Sequence, residues 1–160
     1  MPPHSRLHRR RTGTTCRCAP PAGLEVYTCR LAARRWKYQV NEVAKAGGGF
    51  EFLPEADHNA LAGLENPEVL MHTMTLFLLA PSDHPRNHLR ADLTRHAFMV
   101  VGLNADVYDA KGKSRLAQLC TALHFGDYMA FYLAMAYGMD PTPVEALQNQ
   151  KAAMKIRAAR

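Results

Sequence analysis

A chain of 160 residues, 48% hydrophobic and 21% charged, is long enough for one packed domain and has an ordinary globular composition. No apolar run approaches the roughly 20 residues that cross a bilayer, which excludes a helical membrane span. The net charge of +6 is concentrated in residues 1–35, which carry eight Arg and one acid, Glu25; the rest of the chain is close to neutral.

Residues 1–23 hold no acid and show neither a helical nor a strand period. They read as unstructured, so residues 1–30 are expected to be a disordered or adventitious leader ahead of a domain over 31–160. The Arg9–Arg11 run could grip phosphate backbones. It lacks the apolar positions of a helix-turn-helix, so no nucleic-acid partner is expected, and no membrane partner either. Cys16 and Cys18 stand too close for a usual zinc pair, and no second pair follows. With no disulfide framework, the cytoplasm is the expected compartment.

Leu24–Thr28 reads as a short strand. Leu31–Ala46 reads as a helix, with Trp36, Val40 and Val43 or Ala44 at three- and four-residue steps and the Gly47–Gly49 run as its stop. Phe50–Leu53 is a short strand closed by Pro54, and Glu55–Asn59 a polar loop before a helical turn near Gly63. Met74–Leu79 is a continuous apolar strand of the kind buried on both faces of a parallel sheet. After a loop over Pro81–Pro85, Leu89, Leu93, Ala97 and Val100 space out a helical stripe that stops at Gly102.

Ala105–Asp109 reads as a third strand. Ser114 opens a long helix whose stripe is Leu116, Leu119, Cys120 and Leu123 and continues through Met129, Leu133 and Ala136, with Cys120 read as a small buried hydrophobe. It runs to Gly138, and Gly126 is a place where it could kink or divide. Thr142-Pro143-Val144-Glu145 has the form of a capping box and launches a last helix with Leu147 and Met154. The alternation predicts an α/β fold, a parallel sheet flanked by helices. Three strands make a narrow sheet with open edges, so the domain reads as incomplete at its N-terminus.

Two polar groups interrupt these structural segments: Gln39-Val40-Asn41-Glu42 on the first helix and Pro54-Glu55-Ala56-Asp57-His58-Asn59 after a strand. Loops just past the carboxyl ends of parallel strands are where open α/β sheets hold ligands. His84, His88, Asp92 and His96 follow a four-residue step that could bind zinc on one helical face. A solvated face opposite Leu89 and Leu93 is the favoured reading, and no metal site is expected.

The ordered set RRWKYQVNEVAK, FLPEADHNALAG, the Gly-Asp-Tyr-x-x-x-Tyr-Leu-Ala run at Gly126–Ala134, Met139–Glu145 and Lys151 resembles a known family. It is similar to the C-terminal sugar isomerase (SIS) domain of the bifunctional phosphoglucose/phosphomannose isomerases, over roughly Leu31 to Met154. The resemblance implies an SIS-type, flavodoxin-like domain and interconversion of glucose or mannose 6-phosphate with fructose 6-phosphate through an enediol. Glu42 would be the base moving a proton between C1 and C2. His58, reaching the neighbouring subunit's site, would assist ring opening in a homodimer. Lys151 would complete the catalytic set, while Gln39, Asn41, Asn59 and Thr142 would bind the sugar phosphate.

These residue types suit the chemistry. Proton transfer at a carbon acid needs one carboxylate, raised in pKa by burial, and no metal, nicotinamide or flavin cofactor. The resemblance also implies relatives about twice this length, whose Ser/Thr-rich phosphate loops have no counterpart before Leu31, and Val43 stands where the family has Asn. The leader resembles translation of a shifted reading frame. Little or no isomerase activity is therefore expected of this chain alone, and a non-catalytic sugar-phosphate-binding SIS module is the alternative.

Overall fold

The computed structural model describes residues 14–18, 27–65 and 73–158, with side chains from Cys29 onward except those of His58 and Asn59. Its strands are β1 (Thr14–Cys18), β2 (Gly48–Phe52), β3 (Met74–Leu79) and β4 (Asn104–Asp109). Its helices are α1 (Tyr27–Glu42), α2 (Glu55–Asn59), α3 (Pro85–Val100), α4 (Arg115–Tyr137) and α5 (Glu145–Ala158), with a 3-10 turn at Ala62–Glu65. The four strands form one sheet in the order β2-β1-β3-β4, and every pairing is parallel. This is the start of a flavodoxin-like order.

β1 is the principal departure from the sequence reading, which expects no structure in residues 1–23. Cys16 pairs with Phe50 on one side and Leu76 on the other. Two ladders, not an apolar pattern, hold this segment in place. The expected strand at Leu24–Thr28 is also corrected: Tyr27 and Thr28 begin α1, while residues 24–26 lie outside the described residues. Cys29, Ala32, Ala33 and Trp36 explain the longer helix, because they extend one buried stripe upstream. Glu55–Asn59, expected as a loop, is the short helix α2.

β3 separates two cores, as strands buried on both faces do. Leu76 and Leu78 meet Cys29, Ala32, Ala33 and Trp36 of α1 and Ala122 of α4. Phe77 and Leu79 meet Leu53, Ala56 of α2 and Ala91 of α3. So α1 and α4 cover one face, and α2 and α3 cover the other.

Small residues govern how the helices seat, which overturns the predicted stripe of α3 and corrects that of α4 in part, while Leu119, Leu123, Met129 and Leu133 pack partly buried against the core. In α3 the buried residues are Asn87, Ala91, Thr94 and Phe98, whereas Leu89, Leu93 and Val100 are exposed. In α4 they are Gln118, Ala122, Gly126, Ala130 and Ala134, whereas Leu116 and Cys120 are exposed. Gly126 neither kinks nor divides α4, which runs unbroken from Arg115 to Tyr137. A methyl group there would come within 2.1 Å of Trp36 Cδ1, so the glycine is the groove into which the indole fits. Trp36 Nε1–H also donates to the Ala122 carbonyl at 2.7 Å. Ser114 caps α4 by accepting from the Ala117 N–H, and Gly138 ends it at φ 64°.

Candidate active site

Parallel topology fixes where the candidate residues can lie. Helix α1 joins β1 to β2 and runs back against the strands, so its last residue, Glu42, sits at the amino end of β2. Helix α4 lies beside α1 in the same sense: Trp36 touches Gly126 near its middle, and Val40 and Ala44 meet Ala134 near its end. The chain from Gly138 to Glu145 therefore emerges beside Glu42. A cleft of about 610 Å³ opens there, lined by Asn41, Lys45, Asp140, Pro143, Val144 and Glu145 among others.

This is not where loops past the carboxyl ends of the strands would have put a site. The Glu55–Asn59 segment does occupy that position, following β2 as α2. Asp57 fixes it, accepting from Thr94 Oγ1 at 2.9 Å and facing Arg90 Nε at 3.7 Å on α3. Within one chain, Glu42 and the backbone of His58 thus lie at opposite ends of β2. About 16 Å of strand separates those ends. They also belong to helices on opposite faces of the sheet.

The other candidates divide between surface and interior. Glu42 is exposed, in contrast to the burial its chemistry led us to expect, because nothing of the described chain covers the last residue of α1. Asn41 is exposed on the cleft. Gln39 is buried, at 3% exposure, and its Oε1 has no hydrogen-bond partner among the described residues. An acceptor left so costs about 1–3 kcal/mol until a donor reaches it. Thr142 is exposed, and its N–H donates to Asp140 Oδ1 at 2.8 Å. Lys151 is exposed on α5, a helix with no buried residue. The side chains of His58 and Asn59 lie outside the described residues.

α5 begins at Glu145, two residues beyond the Pro143 start expected of a capping box, and the N–H groups of Leu147 and Gln148 both donate to the Val144 carbonyl. The zinc alternative does not assemble on α3. His84 caps the helix by accepting from Arg86 N–H, a ring nitrogen of His88 bonds the Ala80 carbonyl at 3.1 Å, and Asp92 faces Arg95 at 3.7 Å.

Lys45 went unnoticed in the sequence. It holds a left-handed backbone at φ 54°, which costs a non-glycine residue about 1 kcal/mol. Its Nζ donates to the Glu42 carbonyl and, at 3.3 Å, to the Pro141 carbonyl. A lysine just past a helix C-terminus complements the negative end of the helix dipole, and that was the readable signal.

A family model described as the bacterial phospho-glucose isomerase C-terminal SIS domain matches residues 25–154. The chain belongs to this family. It is 35% identical over 136 residues to the bifunctional phosphoglucose/phosphomannose isomerase of Aquifex aeolicus, covering 83% of this chain and 42% of that protein. It is 37% identical over 134 residues to the protein of the same name from Caldicellulosiruptor bescii, covering 80% and 39%. This SIS chain thus spans about two fifths of the length of these curated relatives. Among solved structures, a glucose-6-phosphate isomerase like protein from Thermus thermophilus superposes with a TM-score of 0.58 at 22% identity, over 80% of this chain and 38% of that one. Glucosamine-6-phosphate deaminase from Thermotoga maritima gives 0.51 at 14% identity, over 85% and 39%. Both likenesses concern the fold, an α/β parallel sheet flanked by helices.

Proposed function

We propose that this SIS-family chain corresponds to the C-terminal portion of an aldose–ketose isomerase acting on hexose 6-phosphates, with glucose or mannose 6-phosphate and fructose 6-phosphate as substrates. Family membership supports the reaction class. The observation that carries the site is the cleft at the end of α1, where Asn41 and Lys45 meet the Met139–Ala146 segment. Of the candidate residues Asn41 lines it, and Glu42 is the next residue of α1.

In this reading the Glu42 carboxylate removes the proton from C1 of the ketose and returns it to C2, and the enediol forms between the two steps. Asn41 and Thr142 face the hydroxyl groups, and Lys151 steadies developing negative charge. Gln39 Oε1 lies toward Gly126, inside the contact between α1 and α4. Glu42 is exposed in a single copy, so a covering partner is needed to exclude water from the proton transfer. The separation of Glu42 from α2 supports a homodimer in which His58 and Asn59 serve the neighbouring copy's site. The family's metabolic relatives support a cytoplasmic setting, and no helix among the described residues is long and apolar enough to cross a membrane.

The test is wash-in of deuterium from D2O at C1 of fructose 6-phosphate, followed by NMR. This partial reaction registers proton abstraction even when net turnover is slow. Exchange abolished by Glu42→Gln supports the isomerase reading. Binding of fructose 6-phosphate without exchange favours a non-catalytic sugar-phosphate-binding SIS module.

A further inference from the structure

We propose that Lys45 is a positioning residue, a cationic staple that holds the base-bearing end of α1 against the Asp140–Thr142 turn and so sets the geometry of the cleft. This inference rests on the isomerase reading of Glu42 and adds a role for a side chain that the reading does not use.

Three features make the staple. Lys45 follows Glu42 by three residues, yet its chain does not continue the helix: its backbone turns left-handed at φ 54°. Around it, the Val43 N–H donates to the Gln39 carbonyl at 2.8 Å and the Ala46 N–H to the Val40 carbonyl at 3.2 Å, so the helix end is closed on itself. The turn directs the ammonium back along α1, where it donates to the carbonyl of Glu42, one of the acceptors that a helix leaves unpaired at its last turn. The same ammonium reaches across to the carbonyl of Pro141, 96 residues away in sequence.

A residue with a side chain in left-handed backbone is strained, and glycine stands two positions later, at Gly47. Lys45 is therefore explained by its side chain and not by its backbone. Near its end α1 packs on α4 through apolar side chains, Val40, Ala44 and Ala46 on one side and Ala134 with Leu133 and Tyr137 on the other. Apolar contact resists separation but allows sliding. Two charge-assisted bonds to fixed carbonyls set the register. Pro141 lies between Asp140, whose carboxylate accepts from the Thr142 N–H, and Thr142 itself. The staple thus couples the position of Glu42 to that of Thr142, and a misplacement of an ångström there is costly to the chemical step.

The experiment compares the full 160-residue chain with its Lys45→Met and Lys45→Arg variants, and with Lys113→Met on an exposed loop as a control. The readouts are C1 deuterium exchange of fructose 6-phosphate and amide hydrogen exchange of the Met139–Glu145 segment. Lys45→Met is expected to lower the saturating rate about tenfold or more while KM moves within about threefold. It should also speed amide exchange in that segment. Lys45→Arg, which can still donate to two carbonyls, should recover most of both.

A saturating rate within about twofold of wild type in Lys45→Met overturns the proposal. So does a rise in KM alone, which would make Lys45 a substrate-binding group, or an arginine variant no better than methionine. If the unmodified chain shows no C1 exchange, the isomerase reading of this chain fails by itself. The amide measurement then decides the staple: unchanged exchange at Met139–Glu145 in Lys45→Met refutes it, and accelerated exchange reversed by Lys45→Arg supports it.

Discussion

Trp36 and Gly126 fit together so closely that a methyl group on Gly126 would stand 2.1 Å from the indole Cδ1 and 2.3 Å from Nε1. The fully buried indole packs beside Tyr108 and Phe125, with ring centroids at 5.6 Å and 5.3 Å. α1 and α4 approach each other through this contact. Gly126→Ala, which raises intrinsic helix propensity, is nonetheless expected to destabilise the chain by about 1–3 kcal/mol through overpacking. Urea unfolding followed by tryptophan fluorescence measures it, since Trp36 is the only tryptophan. A gain in stability would mean that the two helices separate freely.

Asp83 gives the fold a pH dependence. Burial pushes its carboxyl above the ordinary value of 3.8, against the opposing pull of the Ala80 N–H, the Cys29 thiol and the His88 charge. Its Oδ2 accepts from the Ala80 N–H at 2.8 Å and lies 3.5 Å from Cys29 Sγ. Because the folded value is the higher one, the native state binds the proton more tightly than the unfolded chain does. The resulting stabilisation is present below the unfolded value of 3.8 and is lost as pH rises through the folded value. Wild type should therefore lose stability relative to Asp83→Asn across that window. Urea midpoints of both chains from about pH 3 to about pH 8 test this, and parallel curves would refute it.

Asp57→Ala should loosen α2. It leaves the hydroxyl of Thr94, a residue 3% exposed, without its acceptor at 2.9 Å, at a cost of about 1–3 kcal/mol. The partly exposed contact with Arg90 adds little. Adding Thr94→Val to Asp57→Ala should restore most of the loss, since both polar partners are then gone. Denaturation of the single and double variants separates this hydrogen bond from a general loss of packing.

The separation of Glu42 and His58 predicts complementation. If each site takes Glu42 from one copy and His58 from the other, a hybrid of Glu42→Gln and His58→Ala chains contains one intact site. Mixing the two inactive variants in equal amounts, with subunit exchange, should recover about a quarter of the wild-type C1 exchange rate. No recovery would place both groups in the same chain's site.

Much of this architecture was legible from residue pattern. β3 shows it best: its unbroken apolar run meant two buried faces, and both faces are filled. Capping signals were equally readable at Ser114 and Gly138, where local backbone chemistry decides. β1 was hidden because Thr14–Cys18 has no alternating pattern and gains its place from neighbours distant in sequence. The stripe of α3, and Leu116 and Cys120 in that of α4, misled for a related reason. Close helix packing selects Ala91, Gly126 and Ala130, which carry little hydrophobic signal, and leaves Leu89, Leu93 and Leu116 outside. At the candidate site, the polar clusters drew attention to Glu42 and His58, and the resemblance implied that His58 serves the neighbouring subunit. The strand order sets the two at opposite ends of β2 within one chain. Lys45 carries the general signal of a cation just past a helix C-terminus, but its bond to Pro141 depends on a left-handed backbone and a neighbour distant in sequence.

The position of β1 has a practical consequence. β2 and β3 share no ladder; each is fastened to Thr14–Cys18. The family match begins at residue 25. An expression clone trimmed to that boundary would discard the rail between the two flanking strands, leaving a lone strand and a separate pair with raw edges toward an open slot. Such a product is suited to adding strands from other molecules. A boundary chosen by similarity alone is therefore expected to favour aggregation over folding.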